Sequence, residues 1–304
     1  MNKAGWDMTG KVSLITGANA GIGKRAAKRL AALGSEVIVV CRNAVSGAAA
    51  VEEIRRDTGN VKVKLLQADM SSQRSVRILA DEVRTHYRRL DVLIHNAANF
   101  DLTLKKPRIT DDGVETIFAT NHLAPFLLTH LLLDMLKRTA PSRIITIASK
   151  GLLTFPGLTI EFDNLNGEKK FSPTHAYYHS KLAQLMFTYD LARKLKESGV
   201  TVNCIRVPSV KIDEGRHAEY VAGWLQAVYR LKRSFSIEPD TMAETYAYLA
   251  AEPALVGVTG NYYSEKNKVV SSSKKSYDET VWRKLWETSA RMTGLHSGGI
   301  DHRS

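Results

Sequence analysis

Cysteine is almost missing from this chain: Cys41 and Cys204 are the only two in 304 residues. Each lies within or at the end of a β-branched run, VIVVCRN and TVNCIRV, where a small buried hydrophobe belongs. The pair therefore reads as free core thiols in a reducing compartment, and a disulfide scaffold is excluded. Long apolar runs are missing too. The opening MNKAGWDMTGKV lacks the apolar stretch of a secretory signal, and no segment reaches ~18 uncharged apolar residues. The longest candidate, LAPFLLTHLLLDML at 123–136, carries His130 and Asp134 and predicts a buried helix. Cytoplasmic location is the expectation. There is no internal repeat, no low-complexity tract and no Pro/Gly/Ser linker, so one domain is expected rather than an array or a pair. No metal site is predicted.

The formal net charge of +12 raises the question of a nucleic-acid partner, because clustered cations gain affinity by displacing counterions from phosphates. The charge is scattered instead. Lys105-Lys106, Lys169-Lys170, Arg230 to Arg233 and Lys274-Lys275 are short separate groups without interleaved aromatics. A solvated surface is the better reading, with some charge left for a phosphorylated cofactor or an acidic membrane surface. No nucleic-acid partner and no transmembrane segment are expected; peripheral membrane contact and a homodimer are left open.

What is present is alternation. The runs at 12–16, 36–40, 63–67, 92–95, 143–149 and 201–207 are nearly continuous apolar strands, and a short seventh is expected near 260–263. Stretches with three- and four-residue apolar spacing lie between them. This order predicts an α/β fold, a doubly wound parallel sheet of Rossmann type in a single domain with about seven strands flanked by helices. The boundaries read as an N-terminal tail at 1–8, a catalytic domain at 9–264 and a C-terminal extension at 265–304. In that extension Trp282, Leu285 and Trp286 mark one amphipathic helix before an end with no core pattern.

Directly after the first strand comes TGANAGIGK, leading into a helical pattern. A strand, a glycine turn and a helix N-terminus make an anion site, so Gly17, Gly21 and Gly23 are candidate pyrophosphate-binding positions. The second strand is followed by Cys41-Arg42-Asn43, with no acid to accept from a ribose 2′-hydroxyl. Arg42 suits a 2′-phosphate and favours NADP(H) over NAD(H). Lys24 adds to this field or is simply a solvated first-turn residue.

Tyr177 and Lys181 lie four residues apart in a helical stretch and so share one face. An ammonium near a phenol stabilises the phenolate and lowers a pKa that is otherwise about 10 towards the working range. Ser149 ends the fifth strand, where the ligand crevice of an open α/β sheet lies, and its hydroxyl is placed to bond a substrate oxygen. No G-x-S-x-G elbow surrounds it, which excludes a nucleophilic serine.

The ordered set TGANAGIG, Asp69 in ADMSS, HNAA at 95–98, Asn121 in NHLAPFLLT, Ser149 and Tyr177-x-x-x-Lys181 resembles the short-chain dehydrogenase/reductase family over about residues 9–264. Within it the chain is most similar to the retinol-dehydrogenase-like branch, through TGANAGIGK, VCRN, the long Ser149-to-Tyr177 interval and VTGNYY followed by SYDE. The resemblance implies NADP(H) and a lipophilic alcohol or carbonyl. It implies that Tyr177 is the acid/base, that Lys181 tunes it and bonds the nicotinamide ribose, that Ser149 polarises the carbonyl and that Asn121 holds a proton-relaying water. Asp69 would contact the adenine and Asn96 support the cofactor. Asn19, Ile22, Met70, Ala97 and Pro208 would complete the cofactor groove.

Two departures stand out. Ala98 replaces the glycine of the family's Asn-Ala-Gly, and Ser209 replaces the glycine of its Pro-Gly, where serine is expected to be strained. They keep a second reading open, a NADP(H)-binding sensor or scaffold without turnover. Residues 212–237, with Tyr220, Trp224, Leu225, Val228 and Tyr229, read as core or as an apolar lid over the substrate.

Overall fold

A computed structural model of the chain describes residues 5–211 and 236–295. Seven strands form one parallel sheet in the order β3-β2-β1-β4-β5-β6-β7. They are β1 (Val12–Thr16), β2 (Glu36–Cys41), β3 (Val63–Gln67), β4 (Val92–His95), β5 (Ser142–Ser149), β6 (Val200–Val207) and β7 (Tyr262–Tyr263). The predicted doubly wound sheet is the one formed, with boundaries within a residue or two of the apolar runs.

Neighbouring residues on a strand feed opposite cores, which is why the runs are apolar throughout. Leu14, Ile38, Val40, Leu93, Ile144 and Val202 pack on one face. Ile15, Val37, Val39, Ile94, Ile145 and Ile205 pack on the other. The first face is covered by α3 (Gln73–His86), α5 (Ala124–Thr139), α6 (Pro173–Lys194) and α8 (Glu279–Met292). The second is covered by α1 (Gly21–Ala32), α2 (Ala44–Thr58) and α7 (Pro239–Ala251). A short α4 (Thr116–Phe118) leads into α5 through a π turn at Ala119–Leu123.

Asn43, Ser72, Ser172 and Asp278 cap α2, α3, α6 and α8 with side-chain oxygens, each satisfying a first-turn N–H. The α1 N-terminus is built differently: its N-cap is Ala20, with no side-chain cap and no acid in the first turn.

By length and mean hydropathy (1.3), the helical run Thr116–Thr139 could cross a membrane, but 78% of that apolar window is buried inside the fold. It extends the helix expected at 123–136 and serves as core. Trp6 and Met8, which the sequence reading puts in a tail, are buried. The Trp6 indole donates to Glu252 Oε2 at 3.1 Å. Cys41 and Cys204 are buried and unpaired with each other, and burial pushes the Cys204 thiol up to about 11.

Candidate active site

The turn between β1 and α1 lies where the strand order reverses, between β1 and β4, at the carboxyl ends of both. Gly17 adopts φ +66°, and a Cβ there would lie 2.8 Å from Ala97 Cα, so both backbone shape and space exclude a side chain. A Cβ at Gly23 would strike the Asn96 amide nitrogen and sit 2.7 Å from Gly17 O. The Asn96 amide donates to Thr16 O (2.9 Å) and Gly17 O (3.1 Å), while its oxygen accepts from Tyr246 Oη at 3.0 Å. Ala97 N donates to Thr16 Oγ1. Asn96 and Ala97 thus tie β4 to the glycine turn and hold the turn open beneath the uncapped α1 N-terminus. First-turn N–H groups without a side-chain cap and a concavity lined by glycines suit a pyrophosphate.

Around this turn the other candidates separate by what they touch. Asn19 donates to Ser46 Oγ at 3.0 Å and joins the turn to α2. Ile22 is half-buried against the core, and Met70 is buried. The Asp69 carboxylate accepts from Ser71 N and Oγ, shaping the entry to α3, yet its side chain stays 36% exposed. Arg42 is 76% exposed, and its guanidinium lies 3.7 Å from Asp69. An acid therefore does reach Arg42, from the end of β3 rather than of β2. So exposed a pair is worth less than about 1 kcal/mol and leaves the guanidinium free to turn to a phosphate. Lys24 is committed elsewhere, to Glu53 at 2.7 Å.

On the other side of the switch point, α6 lays Tyr177 and Lys181 one turn apart. Lys181 is buried to 1% exposure, and its ammonium donates to Ile147 O on β5 at 2.9 Å. It lies 5.7 Å from the Tyr177 ring centroid. Burial pushes Lys181 from 10.5 down to about 8, with the Cys204 thiol partly opposing. Ser149 ends β5 two residues beyond Ile147, and its Oγ accepts from Gly151 N at 3.2 Å, starting a short 3₁₀ turn at Lys150–Thr154. The Asn121 side chain sits in the π turn, fully buried. Its oxygen accepts from Asn99 N at 2.6 Å, and its nitrogen donates to Asn99 O at 3.0 Å and to Ser180 Oγ at 2.9 Å. Ser180 Oγ in turn donates to Tyr177 O at 2.7 Å.

Tyr177, Lys181, Asn121 and the β5 end that carries Ser149 thus form one bonded neighbourhood, and the glycine turn with Asn96 and Ala97 forms a second beside it. Pro208 is half-buried just past β6. The two departures are milder than expected. Ala98 is exposed, and Ser209 does not adopt a positive φ, so the predicted strain is absent. Instead Ser209 O accepts from Ile237 N at 3.0 Å, and Lys211 N donates to Ile237 O at 3.0 Å. The suggested lid, Ile212 to Ile237, lies outside the described residues apart from Ser236 and Ile237.

Sequence reasoning overlooked Ser180, Tyr246, Asn99 and Phe100. Phe100 was findable as an aromatic just beyond a strand end at the crevice. Tyr246 was not, because it reaches Asn96 across 150 residues.

The pattern of the short chain dehydrogenase family matches residues 11–218. The chain belongs to this family. It is 38% identical over 302 residues to human retinol dehydrogenase 14, covering 95% of this chain and 88% of that protein. To human retinol dehydrogenase 11 it is 39% identical over 289 residues, covering 95% and 87%. A crystal structure of an uncharacterized Mycobacterium paratuberculosis protein superposes with a TM-score of 0.75 at 27% identity, covering 96% of this chain and 97% of that one. This short-chain dehydrogenase therefore falls in the retinol-dehydrogenase-like branch and is an oxidoreductase acting on CH–OH and C=O groups.

Proposed function

We propose that this oxidoreductase uses NADP(H) to interconvert a lipophilic alcohol and its carbonyl compound, with Tyr177 as acid and base. The observation that carries the reading is Lys181: an ammonium buried with no carboxylate partner among the described residues, held by one carbonyl beneath the Tyr177 ring. A lone buried charge is costly, and its use is to stabilise a second, transient charge of opposite sign, the Tyr177 phenolate.

The glycine turn, the uncapped α1 N-terminus and Arg42 fit a phosphorylated dinucleotide, with Asp69, Met70 and Ile22 beside it. Such a cofactor, when bound, supplies or accepts the hydride. In reduction Tyr177 Oη donates its proton to the carbonyl oxygen, and in oxidation it takes the proton from the alcohol. Ser149 Oγ donates to the same oxygen and holds it near Tyr177. The side chain of Asn121 is engaged with Asn99 and Ser180, so any water relay to Lys181 falls to its main chain, in a π turn where helical bonding is relaxed. Retinol dehydrogenases 14 and 11 bear names that state a lipophilic alcohol substrate, which supports the same class here. The net charge of +12 supports the apolar substrate being met at an acidic membrane surface.

Two variants test this. Tyr177→Phe is expected to lower carbonyl-dependent NADPH oxidation by about 10²–10⁴-fold while NADPH binding changes little; turnover equal to that of the native chain would overturn the assignment. Arg42→Asp should cut the preference for NADPH over NADH by about 10- to 100-fold, the worth of a charge-assisted contact. An unchanged preference would remove Arg42 from the site.

A further inference from the structure

Phe100 stands just past the carboxyl end of β4 and is 41% exposed. Its ring is nonetheless held in place, with its centroid 4.1 Å from that of Tyr177 and its plane tilted by 41°. The reason is one residue back. Asn99 is gripped through both its backbone N–H and its carbonyl by the Asn121 side chain, which also bonds Ser180, which bonds the Tyr177 carbonyl. The segment carrying Phe100 and the helical turn carrying Tyr177 are therefore a single hydrogen-bonded unit. Beyond Tyr177 the rings continue. Tyr178 follows at 5.3 Å, edge-on at 73°, and Phe155 lies 4.8 Å from Tyr178 with its plane tilted by 37°. Gly151 makes room for this row, since a Cβ there would strike the Tyr178 ring and hydroxyl. Four rings thus run from the end of β4 to the turn that follows Ser149.

We propose that Phe100 is a specificity-determining residue. With Tyr178 and Phe155 it forms an aromatic wall continuous with the Tyr177 ring that favours carbonyls conjugated to a flat π system over saturated carbonyls of the same size. The proposal rests on Tyr177 being the proton donor. A saturated group gains only apolar burial against such a wall, whereas a planar one adds ring–ring attraction worth about 2- to 12-fold in binding.

The test uses the full chain with NADPH and two nine-carbon aldehydes, cinnamaldehyde and 3-cyclohexylpropanal. Phe100→Leu keeps apolar bulk and removes the ring. The expected result is a drop of about 3- to 10-fold in the kcat/KM ratio of cinnamaldehyde to 3-cyclohexylpropanal, carried by KM, with unchanged NADPH affinity. Phe155→Leu, at the far end of the row, should move the ratio the same way. Equal loss for both aldehydes would overturn the proposal. Calorimetry of cinnamyl alcohol binding to the NADP-loaded chain separates the two readings. If the native chain reduces neither aldehyde, the wall stands only if Phe100→Leu still weakens this binding by several-fold, and unchanged binding sinks it; the Tyr177 assignment is judged separately, by Tyr177→Phe on a carbonyl that the chain does reduce.

Discussion

Lys181 shows what one residue can cost and contribute. Its ordinary value is 10.5, and burial takes it to about 8 in the fold. Below pH 8 the ammonium is charged in both the folded and unfolded chain, so the folded state bears the whole desolvation cost, on the order of 3 kcal/mol. Between pH 8 and 10.5 the unfolded chain binds more protons than the folded one, so the native protein gains stability as pH rises through that window. Lys181→Met removes the charge, at the expense of leaving Ile147 O without its donor. The stability of this variant relative to the native protein is therefore expected to fall steadily from pH 8 to 10.5 in urea titrations. A difference that stays flat across that window would contradict the buried ammonium. The Tyr177–Lys181 pair was legible in the sequence because helical spacing is local. The seating of Phe100 on Tyr177 was not, because it is set by Asn99 meeting Asn121, a contact spanning 22 residues.

Among the elements, α8 is the one whose removal should be felt furthest. Trp286 packs edge-on to Phe126 at 5.1 Å, lies 5.0 Å from His130 and has the Lys194 ammonium 4.7 Å from its ring. Three residues on, Ser289 bonds His122 at 2.8 Å, and His122 adjoins Asn121 in the π turn. Arg77 on α3 donates to Thr293 O just after α8. Trp286→Ala is expected to cost about 3–5 kcal/mol in urea titration, the usual range for emptying an aromatic site in a core. It should also lower kcat through the His122–Asn121 turn. A loss below about 1 kcal/mol would mean that α8 is an accessory rather than part of the body. The spacing of Trp282, Leu285 and Trp286 revealed this helix in advance. The π turn left no such trace, since a shift from i+4 to i+5 bonding changes no residue type. The buried Trp6 and Met8 were hidden for a related reason: two isolated hydrophobes before the first strand carry no periodicity.

At the scale of the molecule, the side of the sheet covered by α5, α6 and α8 encloses histidines that must stay neutral. Burial pushes His95 and His122 down to about 3, and His130 and His179 down to about 4. Their folded values lie below the unfolded 6.5, so the unfolded chain takes up protons first as the solution is acidified. Stability is accordingly full above about pH 6.5 and declines below it, by about 1.4 kcal/mol per pH unit for each such histidine. His95 and His122 alone should cost about 4 kcal/mol on going to pH 5. Urea midpoints measured from pH 7.5 to 5 check this; an unchanged midpoint would mean that protons reach these rings without unfolding. The set of strands and the two-faced core were readable from the apolar runs, because a parallel sheet buried on both sides permits few other patterns, whereas the order of strands across the sheet was not, since nothing local encodes it.

Finally, the bridge between Val210 and Ile237 has a consequence for how this frame can diversify. Ser209 and Ser236 touch through their hydroxyls at 2.8 Å, and Lys211 pairs with Glu238, so the chain leaves and re-enters the frame through one clasp. A clasp of that kind fixes both anchors whatever chain length joins them. Changing the number of residues between Lys211 and Ser236 should therefore leave the seven strands, and Tyr177 and Lys181 with them, in register.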